Sequence, residues 1–253
     1  MLAYARGLVQ LFNAVVVSPS YRLAPENKFP VGVNDAYDIL SWCAKNASTL
    51  GADTSKGFIV GGNSAGANFT AVLARRSVQE VLEPKLTGQW LSYPLLTFRE
   101  AAKEGVEGLV KEAHKYKDIW GLSWEENRDA VLIDAAAAEM LRAYYSPDLA
   151  SPLLNPLVRE PAFDVGKLPK AFVQTAGLDI VRDDGIVYAY ALEDAGVDVR
   201  LAAYPGAPHA FPAFFPTLDV SKQAMIDIGV CFGWLLGVEV EEERARTATL
   251  RRV

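Results

Sequence analysis

Gly62-Asn63-Ser64-Ala65-Gly66 combine residue types and spacing suited to nucleophilic chemistry. The β-rich run FIVG precedes them and the helical run ANFTAVLARRS comes after. In that context G-x-S-x-G reads as a nucleophile elbow. A sharp strand-to-helix turn lifts the serine hydroxyl clear of the sheet, and the flanking glycines allow close backbone approach. The competing reading is a Gly/Ser-rich turn without chemistry. Nucleotide-binding readings fail on spacing. A G-x-G-x-x-G loop starting at Gly61 meets Asn63 at its second glycine position, and no Gly-Lys-Ser/Thr run occurs.

A serine hydroxyl needs an adjacent base to attack. The chain has two histidines. His114, in KEAHKYK, sits on a charged helical stretch and reads as a solvated surface residue. His209, in YPGAPHAF, lies in a Pro/Gly-rich loop after the last predicted strand. Ligands of open α/β sheets gather at the carboxyl ends of strands, so this loop should share a rim with Ser64. The alternative is a histidine that only closes a turn. Asp179, just beyond the predicted strand AFVQT, is the first choice to orient His209. Asp183 is the second choice, because Asp183 and Asp184 sit where acidic residues favour a helix start.

These side chains need a frame. Strands are predicted over Ala14–Ser20, Phe58–Gly61, Gly88–Ser92, Ala171–Thr175 and Val199–Tyr204, all apolar on both faces. Amphipathic helices are predicted over Asn34–Asn46, Ala65–Glu80, Asp184–Ala195 and Lys222–Leu236. Gly196 marks a helix stop. The alternation implies an α/β fold with a parallel sheet. From about 98 to 161 no strand is predicted. A charged helix (99–118), a Trp-rich turn and an Ala-rich helix (129–145) suggest a helical insertion above the sheet. The charged tail from Glu239 to Val253 should fray. No repeat or linker divides the chain, so residues 1–253 read as one domain.

Composition narrows the class. Hydrophobic residues are 51% and charged residues 22%, with a formal charge of −6. This excludes disordered and collagen-like chains and argues against a nucleic-acid binder, which usually carries a basic face. Two cysteines give neither a disulfide framework nor a metal spacing. No apolar run is long enough to span a bilayer. The N-terminal twenty residues imitate a signal peptide, but Gln10 and Asn13 interrupt the apolar core. A helix running into a buried strand is expected there, in a soluble, cytoplasmic protein. The oligomeric state is left open, a homodimer included.

The chain resembles the hormone-sensitive-lipase-like carboxylesterase branch of the α/β-hydrolases (fold-3) in four places. Tyr21-Arg22-Leu23-Ala24-Pro25-Glu26 with Phe29-Pro30 is similar to its YRLAPE…FP segment. Gly62–Gly66 is similar to its G-D-S-A-G elbow, Asp179–Asp183 to its D-P-L-R-D loop, and His209-Ala210-Phe211 to its H-G-F loop. Pro94 and Ser151–Leu154 resemble further family segments. The order Ser…Asp…His is also that of α/β-hydrolases. The resemblance implies a three-layer α/β-hydrolase fold with a mostly parallel sheet and a helical cap. It implies Ser64 as nucleophile, with Asp179 and His209 as its partners. It also implies the Ala65 N–H as an oxyanion donor and cleavage of small or apolar carboxylic esters, without cofactor or metal.

Asn63, Ala67, Ile180 and Ala210 depart from the family residues Asp, Gly, Pro and Gly. The larger departure lies upstream. The family's H-G-G-G loop, which supplies the other half of the oxyanion hole, has no counterpart among the twenty residues before Tyr21. The family's first strands are missing too. A chain beginning inside a longer enzyme is the expected explanation, ahead of a short variant with a re-paired sheet or a strand from another chain. Strand 14–20 then either leaves a gap or pairs directly with 58–61. Two other readings stay open: a non-catalytic protein of this fold that binds an apolar ligand, and lactonase or acyl-transfer chemistry by the same residues. Trp120, Trp124, Tyr144 and Tyr145 read either as a substrate pocket or as core.

Overall fold

The computed structural model describes residues 2–98, 108–160 and 163–250. Its helices in the first half are α1 (Leu2–Phe12), α2 (Val31–Lys45) and α3 (Ala65–Gln79). Next come α4 (Lys111–His114), α5 (Leu122–Glu126) and α6 (Ala135–Tyr145). The rest are α7 (Arg182–Asp194), α8 (Phe211–Phe214), α9 (Asp219–Leu236) and α10 (Glu242–Leu250). Strands β1 (Ile59–Asn63), β2 (Gly88–Ser92), β3 (Ala171–Leu178) and β4 (Val199–Pro208) pair in that order, all parallel.

Successive strand residues face opposite sides, and here both sides are covered. Leu91 stands opposite Val173, and both pack with Val72 of α3 and Val187 and Leu192 of α7. Their neighbours Trp90 and Phe172 stand opposite each other and face the other way, onto Leu8 of α1 and Ile228, Phe232 and Leu235 of α9. The result is helix, sheet, helix. Gly196, at φ 82°, comes after α7 as a left-handed stop, and Gly237, at φ 70°, does the same for α9. β3 and β4 run three and four residues beyond the predicted ends, carrying the ladder up to the functional loops.

Several expectations need correction. Residues 14–20 form no strand, and Val15, Val16 and Val17 are between 38% and 45% exposed. A strand exists only beside a ladder neighbour. Among the described residues, β1 pairs in the sheet with β2 alone. A groove of about 220 Å³ separates Val17 and Pro19 from Phe58, Val60 and Gly62, so the gap is what forms, not direct pairing. The C-terminal tail does not fray at its start. Helix α10 buries Ala245 and Ala248 against α1 and α9, helped by Gly229, where a Cβ would come within 2.9 Å of Ala245. Part of the predicted charged helix (99–107) lies outside the described residues, and the remainder contains only the single turn α4. The Ala-rich helix starts only at Ala135, where Asp134 caps it by accepting from Ala137 N at 2.7 Å. Trp120 and Trp124 belong to the core, whereas Tyr144 is exposed.

Candidate active site

The turn between β1 and α3 is one residue long. Ser64 occupies it at φ 55° and ψ −118°, outside the ordinary allowed regions. Such a conformation costs on the order of 1–3 kcal/mol and persists only where surroundings enforce it. Here Ser64 N donates to Ser92 O at the end of β2, while Ala67 N and Asn68 N donate to Ser64 O. The two motif glycines are not equivalent. A Cβ at Gly62 would lie 2.3 Å from the Gly66 backbone, whereas one at Gly66 would meet nothing within 4 Å. Gly62 is thus the glycine the close approach requires.

His209 comes directly after the last residue of β4. Its Nδ1 lies 2.7 Å from Asp179 Oδ2 and its Nε2 lies 2.8 Å from Ser64 Oγ. With a proton on Nδ1 shared toward the carboxylate, Nε2 presents its lone pair to the serine hydroxyl. Asp179 and His209 are buried, and Ser64 is half-buried. The Tyr93 ring packs edge-on against the imidazole at 6.0 Å. Ala210 holds φ 49°, the left-handed region, which accounts for the glycine the family carries there.

The other predicted residues separate clearly. Asp183 does not reach His209. It accepts from Ser123 N at 2.6 Å and from Arg182. His114 is exposed on α4. Ala65 is exposed as the first residue of α3, where first-turn amides have no acceptor within the helix. Among the described residues, no group of three or more His, Cys, Asp or Glu side chains is placed to hold a metal ion. No helix among them is long and apolar enough to cross a membrane.

Sequence reasoning undervalued Asp184. It is 1% exposed; its Oδ2 accepts from Leu96 N and Thr97 N, and its Oδ1 accepts from Trp120 Nε1 at 2.6 Å. It ties the loop after β2 to the helical segment above. Burial pushes its carboxyl up to about 7, with the Asp183 charge acting the same way. A folded pKa above the ordinary 3.8 means the folded state holds an extra proton between the two values. Its contribution is full below about pH 4 and is lost as pH rises through about 7. Denaturant unfolding should show wild-type stability rising by about 1 kcal/mol from pH 8 to 6, with this component missing in Asp184→Asn. An identical slope in the variant would remove Asp184 from the account.

A model of the α/β-hydrolase fold family matches residues 2–213. The chain belongs to the α/β-hydrolase fold family. An AB hydrolase superfamily protein of Schizosaccharomyces pombe is 37% identical over 238 residues, covering 93% of this chain and 66% of the relative. Carboxylesterase NlhH of Mycobacterium tuberculosis is 35% identical over 215 residues, covering 84% and 61%. The structure of an esterase from Pyrobaculum calidifontis superposes with a TM-score of 0.73 at 33% identity, covering 92% of this chain and 69% of that one. This α/β-hydrolase chain therefore spans under two thirds of the length of those two curated relatives. The carboxylesterase among them agrees with the hormone-sensitive-lipase-like branch that its four segments resemble.

Proposed function

We propose that this chain is a serine hydrolase that cleaves small or apolar carboxylic esters through an acyl-enzyme. The observation that carries the reading is one imidazole hydrogen-bonded on one nitrogen to a buried carboxylate and on the other to a serine at a strained turn. His209 Nε2 takes the Ser64 proton as Oγ attacks the ester carbonyl. Asp179 fixes the tautomer and stabilises the imidazolium. The Ala65 N–H donates to the developing oxyanion. His209 then protonates the leaving alcohol, and water attacks the acyl-Ser64 ester with His209 again as base. Relatives named as carboxylesterases support the ester class. A non-catalytic binding protein would have no use for the complete relay. A cytoplasmic location is part of the proposal.

A fluorophosphonate probe tests this directly. The folded chain should react and carry the phosphonyl group on Ser64, located by peptide mass spectrometry, and it should hydrolyse p-nitrophenyl butyrate. Failure of the folded chain to react would overturn the hydrolase reading, and labelling at another serine would overturn the site.

A further inference from the structure

The turn that carries Asp179 is held by more than its own strand. Asp179 Oδ1 accepts from Val181 N at 3.1 Å, a bond within the turn. Its backbone carbonyl accepts from Asn127 Nδ2 at 3.1 Å, and the same amide reaches Gly177 O at 3.3 Å. One residue on, Ile180 O accepts from Ser123 Oγ at 2.7 Å, while Ser123 N donates to Asp183 Oδ2. Ser123 is wholly buried and Asn127 is 9% exposed. Ser123 lies in α5 and Asn127 is its C-terminal cap, so both come from the helical segment between β2 and β3, more than fifty residues from Asp179.

These bonds have a physical reason. Gly177 lies where the register of β3 and β4 shifts, and its carbonyl accepts from Asn127. Asp179 O, which already accepts from Arg182 N at 3.2 Å, takes a second bond from the same amide. Ile180 O accepts from Ser123, as buried carbonyls are rarely left unpaired. An amide NH₂ shared between Gly177 O and Asp179 O resists rotation of the 177–178 and 179–180 peptides, the second of which adjoins Asp179. We propose that Ser123 and Asn127 are positioning residues, through which α5 holds the Asp179 carboxylate in register with His209 Nδ1. This rests on the serine-hydrolase reading. It makes the helical segment part of the relay's support and not solely a cover for substrate. Neither residue touches Ser64, His209 or the space above them in the bonds described.

The test uses Asn127→Asp, which keeps size but replaces the donor with an acceptor facing two carbonyls, and Ser123→Ala, which removes one hydroxyl. Near-UV circular dichroism establishes folding, and Ser123→Ala carries the test alone where Asn127→Asp does not fold. A misplacement of about 1 Å can cost about 100-fold in rate. For p-nitrophenyl butyrate, kcat should fall about 10–100-fold with KM nearly unchanged. In Ser123→Ala, which adds no charge, the acid limb of kcat/KM should move to lower pH, because a carboxylate held less closely stabilises the imidazolium less. The downfield proton resonance of His209 Nδ1–H should shift upfield. Folded variants with wild-type kcat, pH midpoint and proton resonance would overturn the positioning role. If wild-type chain also fails to react with the fluorophosphonate probe, the hydrolase reading falls and this role falls with it. If wild-type reacts normally, the positioning role alone is refuted.

Discussion

Asp179→Asn is expected to lower kcat about 10⁴-fold, the size of loss known for this change in Ser-His-Asp hydrolases, while the fold stays intact. The structure explains why an isosteric change should be so costly. Oδ1 of Asp179 accepts the Val181 N–H, and Oδ2 faces His209 Nδ1. An asparagine here keeps its carbonyl oxygen on Val181, since an NH₂ there would oppose another donor. Its NH₂ then takes the place of Oδ2 and points a hydrogen at Nδ1. The imidazole must answer with the opposite tautomer, placing its proton on Nε2, toward Ser64 Oγ. The base is then blocked at the atom that should receive the serine proton. Steady-state hydrolysis and the rate of fluorophosphonate labelling should fall together. Asp183→Asn, which leaves this relay untouched and alters only the bonds to Ser123 and Arg182, should lose far less. The reverse ranking of the two variants would transfer the acid role to Asp183.

The distinction between these aspartates was legible in the sequence, for a local reason. A residue just past a strand end is placed by the strand, and β3 puts Asp179 on the rim beside the loop of β4. The same logic placed Ser64 and His209, because each comes after a strand whose apolar run is hard to misread. The features that were not legible depended on neighbours remote in sequence. Val15–Val17 have strand-forming side chains, yet among the described residues no ladder partner stands beside them. Asp184 reads as a helix-start acid because nothing in its local pattern reports Leu96, Thr97 and Trp120 closing over it. The small-residue pairing of Gly229 with Ala245 that seats α10 was hidden in the same way. Strand-end chemistry is local, whereas burial of polar groups is a property of the assembled layers.

Arg75 is the sharpest instance, and Arg75→Met should destabilise the fold by about 3–5 kcal/mol. Arg75 and Arg76 are adjacent in α3 and look alike in sequence. Helix α3 is buried from Ala67 through Arg75 without a break, so one guanidinium had to go inside. The Arg75 side chain is 1% exposed, against 19% for Arg76. Its Nη1 donates to Pro156 O at 2.8 Å and Val158 O at 2.6 Å, its Nη2 meets Glu160 at 2.7 Å, and its plane lies 4.1 Å above Phe163. These contacts fasten the segment that returns from the helical insertion to β3. Methionine fills similar volume but leaves two carbonyls without donors, each costing about 1–3 kcal/mol. Glu160 is partly exposed and can rehydrate, so adding Glu160→Gln should recover little. Lysine keeps the charge but reaches fewer of these acceptors, and Arg75→Lys should fall between wild type and Arg75→Met. For a chain of this size the Met variant should melt about 6–20 °C lower, read by circular dichroism. Ser64 lies eleven residues away along the helix, about 16 Å, so hydrolysis at low temperature should survive. A loss below about 1 kcal/mol would mean that water satisfies those carbonyls as well as the guanidinium does.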